Sequence, residues 1–455
     1  MLYMGPLTTL LALLPLSAWA APMCKLRSGS AAASSTPPPA ATPTVSGSSS
    51  TSGNASSDFI ATTWYASWHS STLSAQDISW DKYTSATFAF ATTVDDPTAV
   101  GYLNETGVAD DLRVFVAAAH NATKEAYLTI GGWTGSAYFS VNVGSDANRT
   151  AFVKTMVGLV EQYDLDGLDF DWEYPGTTGA DCNIYQPDDT ANFLSFLQAL
   201  RQDPGMTGKK ITAATSILPF VGPDGAHSTD VSAFADVFDY ISIMNYDVWG
   251  SFSANQMVGP NAPLNDTCVS DPSQAQGSAV SAVAAWTSAG FPANKIVLGV
   301  ASYGHSYQVD QSKALSSTTP TNGTLPLNAW VQHEATQPAG DALDAFANAS
   351  TTSCGTTVPA GYSGVFNFFG LIDKGFLDAI GNPVAGKGYL FDDCSQTPFI
   401  YDVDSQVMVS YDNAQSFAAK GDFIKQSGLR GFAMWEAAGD SNDILLDSIM
   451  GAISS

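Results

Sequence analysis

From residue 59 onward the chain alternates short apolar runs with stretches of helical periodicity, and this alternation limits the fold more than any other feature. The strand candidates are Phe59–Trp68, Ala86–Thr92, Ala126–Trp133, Leu165–Tyr174, Ile211–Phe220, Tyr240–Trp249, Lys295–Tyr303 and Leu429–Trp435. Helical periodicity lies between several of them, at Ala151–Tyr163, Asp189–Arg201, Gln274–Ala289 and Asn413–Ser427. Strand and helix in strict alternation imply parallel strands joined by crossover helices. Eight such units predict an α/β fold of the (β/α)8 TIM-barrel type, with a doubly wound open sheet as its structural rival. The seventh and eighth candidates stand more than a hundred residues apart, far beyond one crossover. The excess, 308–412, reads as a small inserted α+β subdomain, leaving 58–307 and 413–455 for the barrel.

The N-terminal segment has a different character. Leu10–Leu16 is a short apolar run, and Ala18-Trp19-Ala20 fits a small-x-small cleavage site, so residues 1–20 read as a signal peptide. Residues 21–57 are dominated by Ser, Ala, Thr, Pro and Gly, which cannot bury enough apolar surface to offset ordering entropy; a disordered linker is expected. A secreted, extracellular or cell-wall protein follows. Asn-x-Ser/Thr sites at Asn54, Asn104, Asn121, Asn148, Asn265, Asn322 and Asn348 favour a glycosylated surface. Of the cysteines, Cys354 is expected to pair with Cys394 and Cys182 with Cys268, leaving Cys24 odd. None has zinc-ligand spacing, and neither metal nor cofactor is expected.

The formal net charge of −26 repels phosphate backbones and anionic lipid heads, which argues against nucleic-acid or membrane partners. A neutral polymer is not repelled.

The segment Asp166-Gly-Leu-Asp-Phe-Asp-Trp-Glu173 carries the chemistry. Side chains alternate along a strand, so Leu168, Phe170 and Trp172 share one face and Asp169, Asp171 and Glu173 the other. The apolar face suits packing against helices; the acidic face then points into the barrel. Like charges in a desolvated site cannot all ionise, so at least one carboxyl must hold its proton near working pH and can act as a general acid. Glu173 comes last, at the C-terminal strand end where barrel enzymes place their sites. A solvated strand edge would not interleave Leu, Phe and Trp so regularly, and a calcium loop needs more Gly, Asn and carbonyl ligands.

This segment resembles the signature of glycoside hydrolase family 18, the chitinases. Similar motifs follow in order: Leu128-Thr-Ile-Gly-Gly-Trp133, Met244-Asn-Tyr-Asp247, Val297-Leu-Gly-Val-Ala-Ser-Tyr-Gly304 and Gly431-Phe-Ala-Met-Trp435-Glu. Pro398-Phe-Ile-Tyr401 and Ser410-Tyr-Asp412 resemble the end of that family's inserted subdomain. The resemblance covers nearly everything from residue 59. It implies a monomeric hydrolase of chitin or chitooligosaccharides that retains configuration and uses the substrate's own 2-acetamido oxygen as nucleophile. Glu173 would be the general acid and base. Asp171 would orient the acetamido N–H, Asp169 would share a proton with Asp171, and Tyr246 would donate to the acetamido oxygen. Trp435 would floor the reacting sugar, and Asp247, Met244, Tyr65, Phe90, Gly132 and Trp133 would bind substrate, with Trp68 and Trp249 extending the platform. Two positions depart from the family pattern: Thr129 replaces a Ser, and His305 stands where an Arg is usual. Two other readings fit the same fold: a chitin-binding lectin without turnover, and an enzyme that cuts the chitobiose core of N-glycans.

Overall fold

The computed structural model describes residues 59–455 apart from Ser353. The signal-peptide and linker segments, Cys24 and Asn54 lie outside the described residues. Eight parallel strands close into a ring: β1 (Ile60–Ala66), β2 (Ser85–Thr93), β3 (Glu125–Gly131), β4 (Gly167–Asp171), β5 (Lys210–Thr215), β6 (Tyr240–Ile243), β7 (Ile296–Ala301) and, after the insertion, β16 (Gly431–Trp435). Each pairs in parallel with its neighbour in that order, and β1 closes on both β16 and β2. The open sheet is thereby excluded.

Crossover helices include α1 (Val108–Asn121), α2 (Asp146–Tyr163), α3 (Asp189–Gln202), α4 (Ala279–Ser288) and α5 (Ala414–Gln426), and α6 (Ile444–Ser454) follows the last strand. Three of them, α2, α4 and α5, start at a side-chain cap rather than where the hydrophobic period begins. Ser278 accepts from the Ser281 N–H while the Ser281 hydroxyl accepts from the Ser278 N–H, so α4 starts at Ala279 rather than at Gln274. Asn413 and Ser416 form the same reciprocal pair ahead of α5. Ser145 caps α2, which begins five residues before the expected Ala151 because Asp146–Thr150 is polar yet helical.

Between β7 and β16 the chain builds a second sheet from β8 (Tyr303–Gln308), β9 (Leu325–Pro326), β12 (Val365–Asn367), β13 (Gly388–Asp392), β14 (Thr397–Asp402) and β15 (Val407–Ser410), in the order β9-β13-β14-β15-β8-β12. Tyr307, Phe399, Tyr401 and Met408 form its core. A separate hairpin, β10 (Ser350–Thr351) with β11 (Thr357–Val358), projects from it. The fully buried pair Lys420 and Asp412, 2.6 Å apart, ties α5 to the end of this sheet.

The cysteine pairing differs from expectation. Cys182 bonds Cys354 and Cys268 bonds Cys394, with Cα separations of 5.5 and 5.7 Å. Nearness along the chain misleads here. The insertion folds back over the barrel, so each of its cysteines meets one from a barrel loop and not its own neighbour. Among the described residues, no helix is long and apolar enough to cross a membrane.

Candidate active site

The alternation on β4 is realised. Leu168, Phe170 and Trp172 belong to the core between barrel and helices. Trp172 stacks on Phe139 at 5.0 Å and meets Phe193 of α3 at 5.3 Å, while Phe170 lies edge-on to Phe196 at 5.5 Å. Asp169, Asp171 and Glu173 therefore face the barrel interior, all buried.

Each acid has a distinct environment. Asp169 is held by three donors: Trp64 Nε1 at 3.1 Å, Thr129 Oγ1 at 2.9 Å and Thr212 Oγ1 at 2.7 Å. Thr129 thus does what a serine hydroxyl would do. Burial raises the Asp169 carboxyl above its usual range, against those three hydrogen bonds. Asp171 has a buried carboxylate oxygen with no partner. Burial, then the charges of Glu173 and Asp169, push it well above the usual range. Asp169 spends its oxygens on Trp64, Thr129 and Thr212, and it influences Asp171 through charge. Burial lifts Glu173 to about 7, offset in part by the Tyr174 hydroxyl and reinforced by the charge of Asp247.

Backbone close approaches fix these groups. Gly131 has φ +112°, and a Cβ there would lie 2.1 Å from the Asp171 carbonyl; Gly132 has φ +88°, and its Cβ would press on the Phe90 ring at 3.0 Å. The Gly-Gly pair lets the turn after β3 sit against the strand end that carries the acids, with Gly132 N–H donating to Asp171 O at 2.9 Å. The Ser136 hydroxyl accepts from the Glu173 N–H at 3.0 Å and lies 2.8 Å from Gly132 O and 2.9 Å from Asp171 O. Asn183 Nδ2 donates to Trp133 O and Glu173 O at 2.9 and 3.0 Å.

Asp171 and Glu173 open onto a groove with two limbs of about 490 and 1210 Å3 that share Glu173, Tyr246, Asp247 and Trp435. The Trp435 indole stacks on Phe90 (5.7 Å, 16°), with Trp64 and Trp68 at 6.0 and 6.4 Å. The peptide bonds preceding Phe90, following Glu173 and following Trp435 are all cis. Met244, Gly132 and Trp133 line the same groove, Trp133 being 54 % exposed. Tyr246 packs edge-on to Tyr303 at 6.1 Å. Burial, then the charges of Asp171, Asp247 and Glu173, keep its phenol protonated far above neutral pH, so it retains a proton to donate. Gly299 makes room for it: a Cβ there would meet Ile243 O at 2.4 Å and the Tyr246 ring at 3.1 Å. Gly299→Ala is expected to cost about 1–3 kcal/mol in stability and to displace Tyr246; thermal melting and KM on a short substrate check both.

Asp247, half-exposed, takes a left-handed conformation, with its N–H on Asn261 Oδ1 at 2.9 Å. Its Oδ1 accepts from the Tyr303 hydroxyl at 2.7 Å and lies 2.6 Å from His305 Nε2. Desolvation by the groove walls raises this carboxyl, yet the hydrogen bond and charge of His305 and the Tyr303 hydroxyl outweigh it and hold the group below its usual range. His305 is thus a direct partner of Asp247. Among the described residues no Lys or Arg lines either limb. The groove offers aromatic planes, hydroxyls and carboxylates, the equipment for an uncharged polyhydroxylated ligand.

Two expected residues are elsewhere. Tyr65 stacks on Phe115 at 5.5 Å on the outer face of β1, in the helix-facing core; its neighbour Trp64 faces the groove instead. The family resemblance points to Tyr65, whereas the residue of this pair that lines the groove is Trp64. Trp249 is 1 % exposed and packs edge-on against Trp330 at 5.3 Å, so it presents no surface to a sugar. Trp68 does, at 47 % exposure. Trp64, Tyr174, Tyr303 and Glu436 were missed. Nearly all of β1 is buried, so no pattern within it separates Trp64 from Tyr65; Tyr174 and Glu436 lie just past strand ends, and Tyr303 opens β8 of the second sheet. Asp166, by contrast, supports the frame: it accepts from the Ala126 N–H at 2.9 Å and pairs with His120 at 2.8 Å.

The family model "Glycosyl hydrolases family 18" matches residues 61–440. A "chitinase-like effector" of Moniliophthora perniciosa is 45 % identical over 399 residues, 88 % of each chain. "Chitinase A1" of Niallia circulans is 28 % identical over 342 residues, 72 % of this chain and 42 % of that one. Among solved structures, a chitinase from Rhizomucor miehei superposes with a TM-score of 0.72 at 30 % identity, over 86 % of this chain and 99 % of that one. Barrel, acidic strand and aromatic groove agree with these likenesses, and the chain belongs to glycosyl hydrolase family 18.

Proposed function

We propose that the chain hydrolyses β-1,4-linked N-acetylglucosamine polymers, chitin and its oligomers, with retention of configuration and with the substrate's acetamido group as nucleophile. The observation that carries this is the separation of duties among three buried acids at the mouth of an aromatic groove. Glu173, lifted to about 7, holds a proton for the leaving oxygen. Asp171 has a free buried oxygen to accept the acetamido N–H. No second carboxylate is needed as nucleophile.

In the first step the Glu173 proton passes to the glycosidic oxygen, the C1–O bond breaks, and the acetamido carbonyl oxygen bonds C1. The resulting oxazolinium cation is stabilised by Asp171, while the Tyr246 hydroxyl donates to the acetamido oxygen and holds it in line. Water then attacks C1, gives its proton to the Glu173 carboxylate and opens the ring. Two inversions give retention. Trp435 and Phe90 offer flat apolar faces to the C–H side of the sugar.

A second reading, binding without turnover, draws on the name "chitinase-like effector" borne by the Moniliophthora protein. Glu173, Asp171 and Tyr246 standing together in one groove favour turnover. The disulfides suit an oxidising compartment, and we take the protein to act outside the cell. The deciding experiment follows hydrolysis of a chitin oligomer by NMR: the first product is expected as the β-anomer. An α-anomer formed first would refute retention, and an unchanged substrate would favour the lectin reading.

The acid role also fixes a pH dependence. A carboxyl is a proton donor only below its pKa, so kcat/KM should hold up to about 7 and then fall about tenfold per pH unit. A pH–rate series on a short oligomer checks this; a profile flat for about two units above 7 would contradict it.

A further inference from the structure

The hairpin of β10 and β11 has an unusual situation. It is paired at Ala347–Gly361, Ser350–Val358 and Thr351–Thr357, and the described residues from Ala345 to Ala360 are almost all exposed, on both faces. About five residues at roughly 3.4 Å each give it a reach of about 17 Å. A free two-stranded hairpin is marginal in water, so packing does not hold it in place. Its tip is instead fastened by the Cys182–Cys354 bond, with the Cys354 N–H donating to Cys182 Sγ at 3.3 Å.

The two anchors belong to different sides of the barrel mouth. The hairpin's base rises from the insertion after β7, whereas Cys182 lies in the loop after β4, three strands away around the ring. The loops that follow β5 and β6 lie between these two anchors around the ring. Those loops contribute Ile217, Met244 and Phe252 to the wider limb of the groove, and the hairpin's base contributes Leu343, Asp344 and Ser363. At that base Phe346 and Tyr362 stand edge-on, 5.1 Å apart, both solvent-exposed and with no core to serve.

We infer that the hairpin is a latched strap that roofs the wider limb, so that a polymer enters there by a free end and not sideways. This inference rests on the polymer reading above for its substrate. Under a covalently closed strap a chain is threaded, whereas an open groove meets it anywhere along its length. The strap therefore selects for chain ends.

The test uses the full chain carrying Glu173→Gln, to prevent turnover, and a long chitin oligomer bearing biotin–streptavidin at one end or at both. The oligomer blocked at one end should bind, and the one blocked at both ends should bind at least about tenfold more weakly. Adding Cys182→Ser with Cys354→Ser, or shortening the hairpin across residues 346–362, should restore binding of the doubly blocked oligomer. Equal binding of the two oligomers to the latched protein overturns the strap alone, and this comparison holds even where an unlatched variant fails to fold. Exclusion that persists after the hairpin is shortened overturns it equally. Absence of binding by the singly blocked oligomer overturns the polymer reading, and the strap's role with it.

Discussion

Glu173→Gln should leave the protein folded and able to bind chitin oligomers, yet lower kcat by on the order of 10³–10⁴. The amide keeps the shape of the carboxyl but cannot release a proton to the leaving oxygen, nor take one from water afterwards. Its main-chain supports do not depend on the carboxyl: the N–H still meets Ser136 Oγ and the carbonyl still meets Asn183. Removing a buried acid that is costly to ionise should, if anything, raise thermal stability slightly at alkaline pH. The folded-state pKa is raised to about 7, so the native acid disfavours folding once pH exceeds its unfolded value, and the amide does not. Turnover and melting temperature measured together on one preparation separate a chemical loss from a structural one. Activity near that of the unaltered protein would assign the proton to another group.

Asp171→Asn should cost about 10²–10³ in kcat with a smaller change in KM. The substitution keeps size, and its amide oxygen can still accept the acetamido N–H, but it removes the negative charge that offsets the cation. Burial and the neighbouring charges push the Asp171 carboxyl upward, so its charge is best compensated when positive charge develops beside it. That condition is met at the oxazolinium stage, so its contribution falls on the transition state and appears in kcat. A variant that lost affinity while keeping kcat would place Asp171 in ground-state binding alone. Tyr246→Phe, which removes one neutral donor, should show a smaller fall in the same sense.

The barrel was legible because its information is local. Apolar runs and helical periods follow from what each segment must bury, and on β4 the period of two separated Leu168, Phe170 and Trp172 from the acids without any tertiary knowledge. What failed depends on relations between distant segments. Whether Trp64 or Tyr65 faces inward is set by how β1 registers against β16 and β2, and no pattern within β1 states it. The cysteine partners depend on how the insertion folds over the barrel. Trp249, aromatic and near the site in sequence, turned inward against Trp330 because the loop after β6 packs on the insertion. His305 reads in the sequence only as the loss of an arginine, and its 2.6 Å contact with Asp247 joins two segments that no local pattern relates.

In the proposed reaction an acetamido oxygen does what no side chain does. The most direct measurement is the rate of hydrolysis across chitin oligomer glycosides whose reacting sugar carries acetyl, monofluoroacetyl, difluoroacetyl or trifluoroacetyl on its nitrogen. Fluorine withdraws electrons from the carbonyl oxygen, so kcat/KM should fall steeply and progressively along the series, with binding little altered. A rate indifferent to fluorination would mean that a group of the protein attacks C1, and the assignment of Asp171 and Tyr246 to the acetamido group would fall with it.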